Sequence, residues 1–306
     1  MLNKIKSYNI LRIITKNLDQ KNNLKIAKYN HNLQKRLGLS IQNYKEYFTQ
    51  IEIELIPKKI INNEPETFIN LDPNNITYHI YFNDKQSQEI NRQYITKEDQ
   101  VTKIKVIINS VKNKSLSGLF KGCHCLEKIK FTRFNINDIK DMSEMFSECS
   151  SLKSVIFEKF DTNQVTNMFD MFCGCDSLSR LDLAKFETSN VTNMRSMFSW
   201  CKKIKKLELA NFDMDKIKDL TDMFYECSSL KYLNLDKFVV NKRINALSML
   251  SGCNALEEFD ISGKNKNNLM LEQYLEKMGV NLDVVKYEKG KDVIKIINKS
   301  KILGDD

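Results

Sequence analysis

Apolar positions recur every 26 residues from 115 to 262. Phe120, Phe146, Phe172, Phe198, Phe224 and Leu250 form one ladder, and Cys123, Cys149, Cys175, Cys201, Cys227 and Cys253 form a second. Leu126, Leu152, Leu178, Ile204, Leu230 and Leu256 form a third, and no insertion breaks the register. A fixed period of this size marks units that bury their apolar faces only by stacking on their neighbours. Within a unit, Met194, Met197, Phe198 and Cys201 lie at i, i+3, i+4 and i+7, the spacing of one helical stripe. Ser115, Asp141, Asn167, Asn193, Asp219 and Asn245 precede the stripe as N-caps, with Glu144 and Asp222 in capping-box positions. Ile204-x-x-Leu207-x-Leu209-x-x-Phe212 then alternates like a short strand. The pattern predicts one helix and one strand per unit. The expected fold is α/β: a right-handed, leucine-rich-repeat-like solenoid with a parallel sheet on one face and short helices on the other.

The flanks carry other periods. Ile10, Leu11, Ile13, Ile14 and Leu18, then Leu24, Ile26 and Ala27, then Leu33 and Leu37 suit three short amphipathic helices. Residues 1–60 are thereby expected to form a small helical head, closed by the alternating strand IEIELI at 51–56. Asn, Glu and Pro in 61–75 suggest a linker, and strands at 76–82 and 103–108 suggest that 76–114 caps the first unit. After the six units of 115–262, a helix at 269–280 and a hairpin turning at Lys289-Gly290 would make 263–306 the second cap.

Charge separates the head from the units. Residues 1–60 hold 12 Lys/Arg against 4 Asp/Glu, while the other 246 residues hold 36 against 35. An acidic adaptor at residues 1–60 is the partner this favours, rather than nucleic acid wrapped on near-neutral units. The first twenty residues contain no long apolar run, and no stretch approaches a membrane span. The expectation is a cytoplasmic chain with reduced thiols.

The cassette V-T-N-M-x-x-M-F-x-x-C-x-x-L-x-x-L-x-L-x-x-F, carried almost ideally by 191–212, resembles the 26-residue repeat of BspA-like bacterial surface proteins. That leucine-rich-repeat relative also has mycoplasma and protist members. The resemblance implies a binding surface, and in secreted members adhesion. Residues 8–37 look more faintly like an F-box, without its opening Leu-Pro pair. That likeness implies a substrate receptor of a ubiquitin ligase.

No chemistry asks for catalysis. His31, His79 and His124 lie outside the well-formed units, and no nucleophile, phosphate-loop or zinc-protease motif stands out. One Cys per unit beside a Phe reads as a small buried hydrophobe, and Cys123/Cys125 and Cys173/Cys175 lack a matching second pair for zinc. Neither a cofactor nor a metal is expected. The leading function is a non-catalytic scaffold that binds a protein partner through the open sheet face. Its candidate residues are Arg180, Asp182, Lys206, Glu208, Tyr232 and Asn234, with Tyr232 as the anchor. A ubiquitin-ligase receptor and a surface adhesin are the alternatives.

Overall fold

In the computed structural model the described residues are Lys35, 50–85, 88–136, 138–235, 244–262, 273, 275–280, 285–289 and 293–298. Two compact units, Met1–Gln50 and Ile51–Asp306, divide the chain. Of the first, Lys35 is helical, and the three head helices otherwise lie outside the described residues.

The second unit is mostly β. Its strands are β1 (Ile51–Pro57), β2 (Glu66–Thr67), β3 (Ile76–Phe82), β4 (Tyr94–Ile95), β5 (Ile104–Val111), β6 (Leu126–Phe134) and β7 (Ser154–Phe157). Then follow β8 (Arg180–Leu181), β9 (Lys206–Glu208), β10 (Tyr232–Leu235), β11 (Glu258–Ser262), β12 (Val285–Lys289) and β13 (Val293–Asn298). They form a six-stranded sheet, β3-β5-β1-β6-β7-β8, a five-stranded sheet, β12-β13-β11-β10-β9, and the pair β2-β4. Both large sheets are mixed, because antiparallel strands flank a parallel core of repeat strands.

The strict alternation of β1 explains its central place: Ile51, Ile53 and Leu55 are buried on one face. The strand pairs antiparallel with β5 on one side and β6 on the other. Within 61–75, read above as a linker, β2 pairs with β4 and Phe68, Ile69 and Leu71 are buried. Residue 70 then closes the first repeat. Asn70 N–H donates to the Leu119 carbonyl at 2.7 Å, and its Nδ2 donates to those of Gly118 at 3.1 Å and Lys121 at 2.8 Å.

The helix-bearing α/β solenoid with a helical head is corrected here. Among the described residues, helical backbone is limited to Lys35, a 3-10 turn at Lys97–Asp99 and residues 273 and 275–277. The stripe expected to be a two-turn helix is a run of tight turns. Met197, Ser199 and Cys201 donate back three residues, to Met194, Ser196 and Phe198. The alternate amides turn away and donate to the next repeat: Met194 to Asp219 at 3.0 Å, Ser196 to Thr221 at 2.8 Å, Phe198 to Met223 at 2.9 Å and Trp200 to Tyr225 at 2.8 Å. Left-handed backbone at Ser196 and Trp200, φ 52° and 62°, turns those peptides. In a true helix the amides beyond the first turn would donate to carbonyls four residues back, and Phe198 and Trp200 could not join the next repeat.

The same switch recurs at Glu144 and Glu148, Asp170 and Gly174, Asp222 and Glu226, and Ser248 and Gly252. Glu144 and Asp222, expected in capping boxes, thus occupy left-handed positions. The expected N-caps instead hold two-residue turns, as where Arg195 N–H donates to Asn193 Oδ1 at 3.0 Å and Thr221 N–H to Asp219 Oδ1 at 2.9 Å. Parallel bridges link Ser115, Asp141, Asn167, Asn193, Asp219 and Asn245 in turn.

Turns of three to four residues still bring the same side chains inward, so the Met, Phe and Cys ladders are the core. Phe120, Phe146, Phe172, Phe198 and Phe224 stack with centroids 5.0–5.7 Å apart and interplanar angles of 4–9°. Each following thiol reaches back 29 residues to a Phe carbonyl: Cys149 to Phe120 at 2.9 Å, Cys175 to Phe146 at 3.1 Å, Cys201 to Phe172 at 3.2 Å and Cys227 to Phe198 at 3.0 Å. At the far end the amides of Ser248 and Leu250 donate to Lys277 at 2.9 Å and Met278 at 2.7 Å, with Leu275 and Met278 buried there.

Candidate partner-binding face

The alternation of β9 and β10 decides which side chains face outward. Leu207 and Leu233 point into the core, so Lys206, Glu208, Tyr232 and Asn234 point away from it. Parallel pairing sets Tyr232 beside Lys206 and Asn234 beside Glu208. The Lys206 ammonium lies 2.7 Å from Glu208 Oε1 and 5.1 Å from the Tyr232 ring centroid. One cation thus joins a carboxylate on its own strand and an aromatic face on the next. Both charged side chains are more than half exposed, so the pair contributes little to stability.

Arg180 and Asp182 stand at the equivalent positions one repeat earlier, but they belong to the other large sheet. β8 has only two residues and pairs with β7, not β9. Asp182 is used locally, its Oδ1 accepting the Ala184 N–H at 3.0 Å. Four of the six candidate residues are therefore joined by strand pairing, and two lie across a break in the ladder.

The sequence did not single out Trp200. It is 41% exposed, its ring meets Tyr225 edge-on at 5.8 Å, and the Lys202 ammonium sits 5.0 Å from its centroid. The signal was in the column: the equivalent positions are Gly122, Glu148, Gly174, Glu226 and Gly252, so an indole is out of place there. Leu247, 50% exposed, is a second large apolar side chain left in solvent.

The thiols are poor nucleophiles where they stand. Burial pushes Cys149, Cys125 and Cys253 up to about 12 and half-buried Cys173 up to about 11. Cys123, Cys175, Cys201 and Cys227 rise further for the same reason. His79 Nδ1 lies 2.8 Å from Glu89 and His124 Nδ1 lies 3.0 Å from Ser150, both exposed pairs. Among the described residues, no three His, Cys, Asp or Glu side chains group as metal ligands, and no helix is long and apolar enough to cross a membrane.

No curated protein and no solved structure matches the chain. Residues 114–238 and, overlapping them, 154–263 match the family described as Mycoplasma protein of unknown function, DUF285. The matched stretch begins one residue before the Ser115 rung and ends just past β11, so it is the stacked 26-residue repeats that are similar to this family.

Proposed function

We infer that the chain is a non-catalytic module that binds a protein partner on the outward face of β9 and β10. The observation that supports this best is the company kept by Tyr232: a half-buried ring under a lysine, with a carboxylate and an amide on adjoining positions. Aromatic anchors set among charges of both signs are the composition of interface hot spots, and a ring freezes few torsions on binding. The backing is rigid, since Leu207 and Leu233 are packed in the core directly behind. The DUF285 match is compatible with a BspA-like repeat, whose use is also a binding surface.

A photo-crosslinking residue at position 232, introduced into the full chain in the cells that express it, tests this. A discrete protein adduct is expected from 232 and not from 195 on the turn face. Tyr232→Ala should weaken capture of that partner by roughly 30-fold, the equivalent of about 2 kcal/mol. Adducts from 195 alone, or none from either position, would refute the assignment. Adaptor and cullin subunits crosslinked only through residues 1–60 would replace it with the ubiquitin-ligase receptor. Labelling of the protein on intact cells would replace it with the adhesin.

A further inference from the structure

Several cations along the stack find a carboxylate one repeat away, while others, such as Lys128, Lys159 and Lys218, have none within 4.0 Å among the described residues. Lys153 pairs with Glu127 at 2.7 Å, Lys231 with Glu257 at 2.8 Å and Lys121 with Glu144. The fourth repeat stands out by the density of its cations. It carries Lys202, Lys203, Lys205 and Lys206 within five residues, all exposed. Lys202 reaches Asp176 at 3.6 Å and Lys206 is held by Glu208, but among the described residues Lys203 and Lys205 have no carboxylate within 4.0 Å. Arg180, exposed at the position of Lys206 one repeat earlier, has none either. Lys203 and Lys205 thus stand without a carboxylate at one corner between the turns and β9, and Arg180 is a third such cation one repeat earlier, across the break after β8.

The same corner holds the chain's single tryptophan. Trp200 occupies left-handed backbone that suits the glycines at 122, 174 and 252 and disfavours a bulky side chain. Its ring nevertheless stays 41% exposed. Glu148 and Glu226 adopt the same backbone in their own repeats, so the turn sets the conformation; what is particular to this position is a large apolar ring left in solvent, where it does not serve the core.

We propose that the partner held on the β9–β10 face presents an acidic segment, which Arg180, Lys203 and Lys205 neutralise while Trp200 supplies the apolar anchor. The inference rests on the protein-binding function above and names the chemistry of that partner. A protein segment fits better than nucleic acid, because Asp176, Asp182 and Glu208 interrupt the patch and would repel a continuous phosphate backbone. A peptide of mixed composition can place its carboxylates on the lysines and its polar groups elsewhere.

The test uses the full chain and four probes: a fluorescent Glu/Asp-rich dodecapeptide, its Gln/Asn counterpart, a Lys-rich counterpart and a single-stranded oligonucleotide of similar length. Anisotropy and the emission of Trp200 are the readouts. Expected is binding of the acidic peptide alone, weakening at least about fivefold as NaCl rises from roughly 50 to 250 mM. Lys203→Glu with Lys205→Glu should weaken it a further 30-fold or so, and Trp200→Gly about tenfold, while Lys159→Glu, exposed outside the corner, changes nothing. Unchanged circular dichroism of each variant checks folding. The proposal is overturned if the neutral peptide binds equally, if the oligonucleotide binds more tightly, if Lys159→Glu matches the double reversal, or if no probe binds by about 1 mM. A crosslinked partner that depends on Tyr232 but ignores the Lys203/Lys205 reversal would sink the acidic segment alone. Loss of both would sink the binding face itself.

Discussion

Phe172→Ala is the most direct probe of how the repeats hold together. The ring is fully buried between Phe146 at 5.0 Å and Phe198 at 5.7 Å, stacked nearly parallel to both. Truncating a buried Phe costs about 3–5 kcal/mol, from lost transfer energy and an incompletely collapsing cavity. Each ring pair is worth about 0.5–1.5 kcal/mol beyond buried area, and here two are lost, so the upper end applies. A loss of about 4–5 kcal/mol is a large share of the ~5–15 kcal/mol that keeps a domain folded. Phe172→Leu should cost far less, about 1–1.5 kcal/mol, because it keeps most of the volume. The chain itself uses Leu250 at this position, buried, in its last repeat. Urea unfolding followed by circular dichroism and by Trp200, one repeat along, measures both variants and checks that the slope m is unchanged. If Phe172→Ala costs under about 1 kcal/mol, or Phe172→Leu costs as much as Ala, the ring ladder is not what joins the repeats.

Three further outcomes follow from buried groups. Thiols raised from an ordinary value of 9.0 to about 12, as at Cys149 and Cys253, stay protonated in the folded state while the unfolded chain ionises. Their contribution is complete below about pH 9 and is lost as pH climbs toward 12, at about 1.4 kcal/mol per pH unit for each thiol. Urea midpoints at pH 8, 9 and 10 check the sign, and a midpoint that rises with pH refutes it. Thiol titration at pH 8 should be slow until urea exposes all eight cysteines; a fast native equivalent from the ladder would contradict the burial. Among the described residues, Thr221 Oγ1 has no hydrogen-bond partner and is buried. Thr221→Val should therefore be neutral or stabilising by up to about 1 kcal/mol, and a loss of more than that would mean the hydroxyl is satisfied after all.

The ladders were legible because burial period and sequence period coincide. Phe146, Phe172, Cys175 and Cys201 could be placed in a core without knowing the backbone around them. The helix assignment failed for a physical reason. Spacing of i, i+3, i+4 and i+7 arises equally from successive tight turns, and only the sign of φ at Ser196 or Trp200 separates the two. Serine, tryptophan, aspartate and glutamate carry no such sign in their names, and the glycines at 118, 122, 174 and 252 were the visible hint. The outward positions of β9 and β10 followed from alternation, whereas the break after β8 did not. The unit positions of Arg180 and Lys206 are identical, and what separates them is a missing run of pairing that no residue type announces. The burial of Phe68 and Ile69 was hidden by polar neighbours on both sides.

The alternate amides of the turns have an electrical consequence. The Phe120 N–H donates to the Met145 carbonyl, and the Phe146 N–H of that same peptide plane donates to Met171. The line runs on through Phe172 to Met197, Phe198 to Met223, Phe224 to Met249 and Leu250 to Met278. Its first member is Asn70, whose amide meets Leu119. Each plane is polarised by the one before it, as along a helix, yet the current of dipoles runs across the chain rather than along it. Companion lines through Met142, Glu144 and Glu148 point the same way. The repeats therefore form an electret with its N–H pole toward residue 278 and its C=O pole toward residue 70. A donor-bearing cap and an acceptor-bearing cap are required at opposite ends. Neither could be exchanged for the other, nor could a repeat be inserted upside down.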